Sequence, residues 1–341
     1  MRVLITHELF PPEVWRMGEK INYDIARRLI NAGIEVKVLT TGNPKIKEID
    51  GIPTVRLPVQ RYLMNLSALW ICKNARGFDL IQTNNYNACL PSYVAAKLMN
   101  KPIVCLIHGM YGRRWLKMRG TVLGSLSMLV EKFQVTHNYD KMLFFSKFGR
   151  DAALEAGVKK EITEVIKPGF DFEKYKAGKK ESFVLFVGRL AKQKGLEYMI
   201  KAARDLPEIK FLIVGSGEEE KKLKAIAPAN VKFLGFVSGK KLIDLYSRAL
   251  VFCLPSVGET FGFVQLEAMA SGCAIVSTLP LDYEGIRVNF GDAEGLKKAL
   301  SYLTDNPKVA IKMGKANRKK ASEYRWDDFM KKLIKIYEGL L

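Results

Sequence analysis

The chain predicts an α/β fold of two Rossmann-like domains in tandem, and three observations carry that expectation. Short apolar runs alternate with helix-period segments over residues 3–166, and the same alternation restarts at 183. Between the two series lies 167–178, a stretch with Pro168, Gly169 and then mostly polar, lysine-rich residues. Strands that alternate with helices at this spacing fold as parallel sheets covered by helices. With 341 residues, 48% of them hydrophobic, the chain is long enough for two cores.

In the first series, 3–6 reads as a strand and 20–31 as a helix, with apolar residues at 21, 25, 26, 29 and 30 on one face. Gly33 ends that helix and 35–39 is the next strand. Further strands are expected at 79–82, 103–107, 142–145 and 164–166, with helices near 90–99 and 122–136. The second series predicts strands at 183–187, 210–214, 231–234, 250–254 and 274–277. It places helices at 195–204, 221–227, 240–248 and 263–271. The tail from about 293 reads as helical throughout. Open parallel sheets bind ligands at the carboxyl ends of their strands, and two such units predict a cleft between them.

Composition excludes several classes. The five cysteines, Cys72, Cys89, Cys105, Cys253 and Cys273, form no C-x-x-C pair and read as buried free thiols. The three histidines are too scattered for a metal cluster. The first residues read as a strand and not as a leader, and the longest nearly apolar run, 121–130, is too short to span a membrane. A cytoplasmic location is the expectation. The net charge of +20 is uneven: no Asp or Glu lies between Asp79 and Glu131, where Lys97, Lys101, Arg113, Arg114, Lys117 and Arg119 do. Such a field favours an anionic partner.

Four segments could carry chemistry. In SVGETFGFVQLEAMASG, 256–272, Glu259 lies in a loop after an apolar strand and Glu267 on the helix that follows. Their separation is about 12 Å at most along a helix, which suits two ends of a nucleotide sugar. Carboxylates accept pairs of hydroxyl hydrogen bonds. The backbone N–H groups of Phe261, Gly262 and Phe263 could reach an anion or a sugar hydroxyl. The plain alternative is a capped surface helix with solvated acids. In FVLFVGRLAKQKG, 183–195, a strand runs into Gly188-Arg189, with Lys194 just before a helix. Fixed cations there would stabilise charge growing on a diphosphate leaving group without a metal, and no Asp-x-Asp triplet is present. The alternative is an ordinary basic loop. His108 ends an apolar strand, and a lone histidine is more often structural. The segment 10–19, with Gly18, could approach phosphates, but it is no G-x-G-x-x-G fingerprint, which weakens a dehydrogenase reading.

Together these motifs resemble family 4 of the retaining glycosyltransferases, the group 1 glycosyltransferases of GT-B architecture. The resemblance covers nearly the whole chain and is strongest in PGFD at 168–171, GRLAKQKG at 188–195, FLIVGSG at 211–217, VKFLGFV at 231–237 and the E-x7-E segment at 255–277. It implies an acceptor-side domain at 1–168, a donor-side domain at 169–325, and a helix at 326–341 that packs back on the first. It implies that Arg189 and Lys194 bind the donor diphosphate and that Glu267 holds the ribose. Glu259 contacts the sugar, with Phe261, Gly262 and Phe263 backbone groups beside it. Gly188 belongs to the diphosphate turn, His108 lies by the reactive end, and Gly18 lies in the loop near the phosphates. His108 and Glu259 are the catalytic candidates. No metal or other cofactor is expected. UDP is the family's commonest base, with GDP the alternative.

Two departures stand out. The family's early Gly-Gly is represented by Arg16-Met17 or Met17-Gly18, and the usual loop after Ser277 is shortened to TLPLDYEGIRVNFGDAEGL. For the acceptor, the run YGRRWLKMR at 111–119 interleaves cations with Tyr and Trp ahead of the apolar 121–130. It suits an anionic membrane interface and so a lipid or lipid-linked acceptor at the cytoplasmic face; the alternative is a solvated basic helix. A nucleic-acid partner is not expected, since no recognition motif or stacking platform is present. A nucleotide-sugar-binding protein without transferase activity and a nucleotide-sugar epimerase are the competing readings.

Overall fold

The computed structural model describes residues 1–12, 17–259, 261–279 and 282–341, with only the backbone at Met17. Arg16, which the early glycine loop would include, lies outside the described residues, as do Thr260 of the E-x7-E segment and residues 280–281 of the shortened loop. The chain divides into two compact units. One comprises Met1–Trp115, Thr121–Gly169 and Trp326–Leu341; the other comprises Leu116–Gly120 and Phe170–Arg325.

The first unit is built on eight strands: β1 (Arg2–Thr6), β2 (Glu35–Thr41), β3 (Glu48–Ile49), β4 (Ile52–Leu57), β5 (Leu80–Asn84), β6 (Ile103–Ile107), β7 (Lys141–Phe144) and β8 (Thr163–Val165). Their order is β3-β4-β2-β1-β5-β6-β7-β8, parallel except for the β3–β4 pair. The antiparallel pair and β4 are not expected from the sequence. The reason lies in Arg56, a charged residue within β4 that is nonetheless buried and donates to the Phe10 and Pro11 carbonyls. It breaks the apolar run that would have marked the strand. Helices of this unit are α1 (Met17–Asn31), α2 (Ala68–Ala75), α3 (Cys89–Leu98), α4 (Arg114–Arg119), α5 (Thr121–Val135) and α6 (Lys147–Ala156), with α4 divided between the two units. Gly33 follows α1 with φ of 78°, a left-handed turn that glycine adopts without strain. Ser146 caps α6 by accepting from the Gly149 N–H at 3.1 Å.

The second unit runs β9 (Glu181–Val187), α7 (Leu196–Arg204), β10 (Lys210–Val214), α8 (Glu220–Ile226), β11 (Val231–Gly235), α9 (Gly239–Arg248), β12 (Ala249–Leu254), α10 (Phe263–Ala270), β13 (Ala274–Ser277), β14 (Gly285–Arg287), α11 (Ala293–Asp305) and α12 (Pro307–Ala321). Its six strands are all parallel, in the order β11-β10-β9-β12-β13-β14. Central strands such as β12, ALVFCL, are buried at every position, which explains their unbroken apolar sequence. The last helix, α13 (Trp326–Glu338), belongs to the first unit. There Arg28 stacks over Trp326 at 4.5 Å, Phe329 packs on Phe145, and the Tyr337 hydroxyl donates to Gln82.

Each sheet reverses its strand order at its centre, between β1 and β5 and between β9 and β12. The loops diverge at those points and leave a crevice above the carboxyl ends of the strands.

Candidate active site

In the second unit, three loops at the carboxyl ends of β9, β10 and β12 are stitched together by backbone. The Gly188 N–H donates to the Val214 carbonyl at 3.0 Å and the Leu190 N–H to the Ser216 carbonyl at 2.9 Å. Glycine is required for this approach: a Cβ on Gly215 would lie 1.9 Å from the Gly188 oxygen. On the other side, the Gln193 carbonyl accepts from the Val257 N–H at 2.9 Å and from the Ser256 hydroxyl at 3.0 Å. A Cβ on Gly195, whose φ is 64°, would meet the Pro255 oxygen at 2.1 Å. The two most informative sequence segments, 188–195 and 255–262, are thus one ledge.

That ledge joins Lys194 to Glu259 in a hydrogen-bonded ion pair, with both side chains mostly buried. Arg189 does not join it. It extends to Glu218, 3.1 Å away, and both of those side chains are more than half exposed. Gly262, with φ of 79°, turns the chain into α10; Phe261 is buried, its ring 4.9 Å from that of Phe263 and 5.7 Å from Tyr324. Glu267, on the same helix, is buried, so the alternative of a solvated acid does not hold for it. It accepts from the Tyr246 hydroxyl at 2.8 Å. Burial and then the Glu267 charge push the Tyr246 and Tyr175 phenols well above their ordinary range, so both remain protonated donors. Gln265, between the two glutamates, is buried, and among the described residues neither end of its amide has a hydrogen-bond partner.

In the first unit, His108 follows β6 at its carboxyl end. Its Nε2 lies 2.9 Å from the Asn84 Oδ1 and 3.1 Å from the Asn22 Nδ2. Its backbone N–H donates to the Asn85 Oδ1. The ring stands edge-on to His7 at 6.0 Å and to Phe145 at 5.3 Å. Burial of the ring, then repulsion from His7, lowers its pKa to about 3. His108 is therefore neutral near pH 7, and Nε2 can donate to Asn84 or accept from Asn22, but not both at once. Asn22 also donates to the Gly18 carbonyl at 2.9 Å, which ties the first turn of α1 to the histidine.

The sequence-predicted residues thus form two groups. Lys194, Glu259, Phe261, Gly262, Phe263, Glu267, Gly188 and Arg189 lie in the second unit, and His108 and Gly18 in the first. Reading the sequence missed Asn22, Asn84, Tyr246 and Glu218. Asn22 carries a faint signal, lying one helical turn from Gly18. Tyr246 carries none, being 21 residues from the carboxylate it holds.

Comparison with known proteins matches the group 1 glycosyltransferase model to residues 169–320 and the glycosyltransferase family 4 model to residues 18–174. The chain belongs to the group 1 glycosyltransferases. This glycosyltransferase is 33% identical over 184 residues to an uncharacterised glycosyltransferase of Methanocaldococcus jannaschii; the match takes in 46% of this chain and 45% of that relative's length. It is 24% identical to the phosphatidyl-myo-inositol mannosyltransferase of Mycolicibacterium smegmatis, over 92% of this chain and 88% of the relative. Among solved structures, HepE of Anabaena in complex with UDP-glucose superposes with a TM-score of 0.81 at 19% identity, over the whole of both chains. The fold of this glycosyltransferase is GT-B. Among the described residues no group of three or more His, Cys, Asp and Glu side chains could hold a metal ion.

Proposed function

We propose that this glycosyltransferase transfers a hexose from a UDP-sugar, with retention and without a metal, to a lipid or lipid-linked acceptor at a membrane surface. The observation that carries the donor reading is the Lys194–Glu259 pair on a backbone-stitched ledge at a strand-order reversal, with Glu267 on the helix that follows. A cation beside a carboxylate suits a phosphate next to a sugar hydroxyl. Lys194, with Arg189, would neutralise charge growing on the diphosphate as the anomeric C–O bond breaks. Glu267, aligned by Tyr246, would accept from the ribose hydroxyls, and Glu259 and the 261–263 amides would take the donor sugar. The proton leaving the acceptor hydroxyl goes to the departing phosphate oxygen. Neutral His108 would serve as a hydrogen-bonding group at the sugar's reacting end, and Gly18 would lie near the phosphates.

The base assignment is supported by HepE, solved with UDP-glucose, and the acceptor by a relative named for phosphatidyl-myo-inositol. The test is UDP release from a panel of UDP-sugars with a lipid extract in EDTA, with the product's anomeric configuration read by NMR. Acceptor-dependent release with the donor's configuration kept supports the reading. Conversion of the sugar without acceptor would indicate an epimerase instead. Nucleotide binding without turnover would indicate a binding protein.

A further inference from the structure

The helix α5 is amphipathic in an unusual sense. Gly124, Glu131, Gln134 and Val135 face inward and are buried. The outward face carries Val122, Leu123, Leu126, Leu129, Val130 and Phe133, from 48% to 80% exposed. At 100° per residue these six fall within an arc of about 120°, a continuous apolar stripe. The helices beside it extend the pattern: α3, which packs on α5, exposes Val94 and Leu98, and α2 exposes Leu69. Leu341 apart, every large apolar side chain that the first unit exposes, among the described residues, lies on α2, α3, α5 or the turn Arg61–Leu66. A soluble surface does not ordinarily gather its apolar exposure in this way.

Charge selects the occupant. Residues 51–130, which supply nearly all of this surface, contain ten Lys and Arg and one acid, Asp79; of the ten, Arg56 is buried, and Arg61 and Lys97 pair with Glu8 and Asp140. That acid is bound to Arg2, its Oδ1 3.1 Å from the guanidinium. Arg113 and, on α5 itself, Lys132 are exposed. A second copy of the chain would set one basic surface against another. An anionic bilayer offers acyl chains to the stripe and phosphates to the cations.

We infer that the apolar face of α5, with its flanking cations, docks this chain on anionic phospholipid, the helix lying in the plane of the headgroups. The inference rests on the reading of a lipid-borne acceptor only for its purpose. The test reads binding without transfer, so a failure of either is visible separately.

The full chain is sedimented with phosphatidylcholine vesicles containing or lacking phosphatidylglycerol. Recovery with the phosphatidylglycerol vesicles is expected, with little on phosphatidylcholine alone. Leu126→Glu with Phe133→Glu should weaken the partition on the order of a hundredfold, since two apolar insertions are lost. Arg113→Gln with Lys132→Gln should weaken it several-fold per charge and reduce the preference for anionic lipid. Both doubles replace exposed side chains, so melting temperatures should match the wild type. Equal recovery on the two vesicle types would overturn the inference, as would wild-type binding by the double-Glu variant. So would a dimer, seen by light scattering, that the double-Glu variant dissociates while no form binds vesicles.

Discussion

The two clusters of polar groups at the strand-order reversals are built in opposite ways. At the ends of β9 and β12 the groups are charged, and they stand on loops held by backbone hydrogen bonds: Lys194 on Glu259, Arg189 on Glu218. Beside the ends of β5 and β6, His108, Asn84 and Asn22 hold one another through neutral side chains, while the carboxylates nearby are already engaged, Glu8 by Asn87 and Glu131 by Tyr86 and the Tyr111 and Gly112 N–H groups. A diphosphate leaving group needs fixed charge close by, while a hydroxyl or a sugar ring needs oriented neutral donors and acceptors. The difference fits the proposed reading, in which the second unit takes the nucleotide and the first supplies groups for the reacting end of the transfer.

The largest expected effect tests the charged cluster. Lys194→Ala should lower kcat/KM roughly 10²–10³-fold, the usual scale for removing one group that stabilises developing charge. The carboxylate of Glu259 is then left without its partner, so Lys194→Arg is the control that separates charge from fold. For the neutral cluster, His108→Ala should reduce kcat by about a hundredfold with donor affinity kept, measured by steady-state kinetics alongside nucleotide titration. A parallel loss of nucleotide affinity would break the comparison.

His108 also makes a pH prediction. Its folded pKa, about 3, lies below the unfolded value of 6.5, so the unfolded chain binds the extra proton between those values. Stability should therefore fall as pH drops from 6.5 toward 3, and that part is fully present above 6.5. His108→Gln should remove roughly 2–4 kcal/mol of the difference between pH 7 and pH 4 in urea unfolding. An unchanged pH slope in the variant would contradict the burial of a neutral ring.

Smaller effects sharpen the second unit. Tyr246→Phe keeps the ring and deletes the hydroxyl that orients Glu267; the donor KM should rise about three- to tenfold with kcat little changed. Glu218→Ala removes an exposed partner of Arg189 and should shift stability by less than about 1 kcal/mol in thermal unfolding. Donor affinity should stay the same or improve as Arg189 is released.

The same contrast explains what could be read from the sequence. The second unit's candidate site is local: Glu259, Gly262 and Glu267 share one loop and helix, and Gly188 to Lys194 share one turn, so it shows as motifs in the sequence, although spacing alone leaves a capped surface helix and an ordinary basic loop open. The first unit's site is assembled from α1, β5 and β6, and only His108, at the end of an unbroken apolar strand, announces itself. Asn22 and Asn84 look like ordinary polar residues until the topology brings them within 3.1 Å and 2.9 Å of the ring. Apolar runs such as IVCLI mark buried parallel strands directly, whereas β4 is hidden by its buried Arg56. The exposed face of α5 was legible only in part, as the apolar run 121–130 behind the basic 111–119. Periodicity shows that a helix has an apolar stripe, and only packing shows that this stripe, unlike that of α13, is left uncovered.

The most direct test of the central claim is calorimetric titration of UDP, in EDTA, into the wild type, Lys194→Ala, Glu267→Ala and His108→Ala. The account predicts binding by the wild type and by His108→Ala, and its loss in Lys194→Ala and Glu267→Ala with their folds intact. Binding that survives in Lys194→Ala and Glu267→Ala, or that disappears in His108→Ala alone, would contradict the placement of the nucleotide in the second unit.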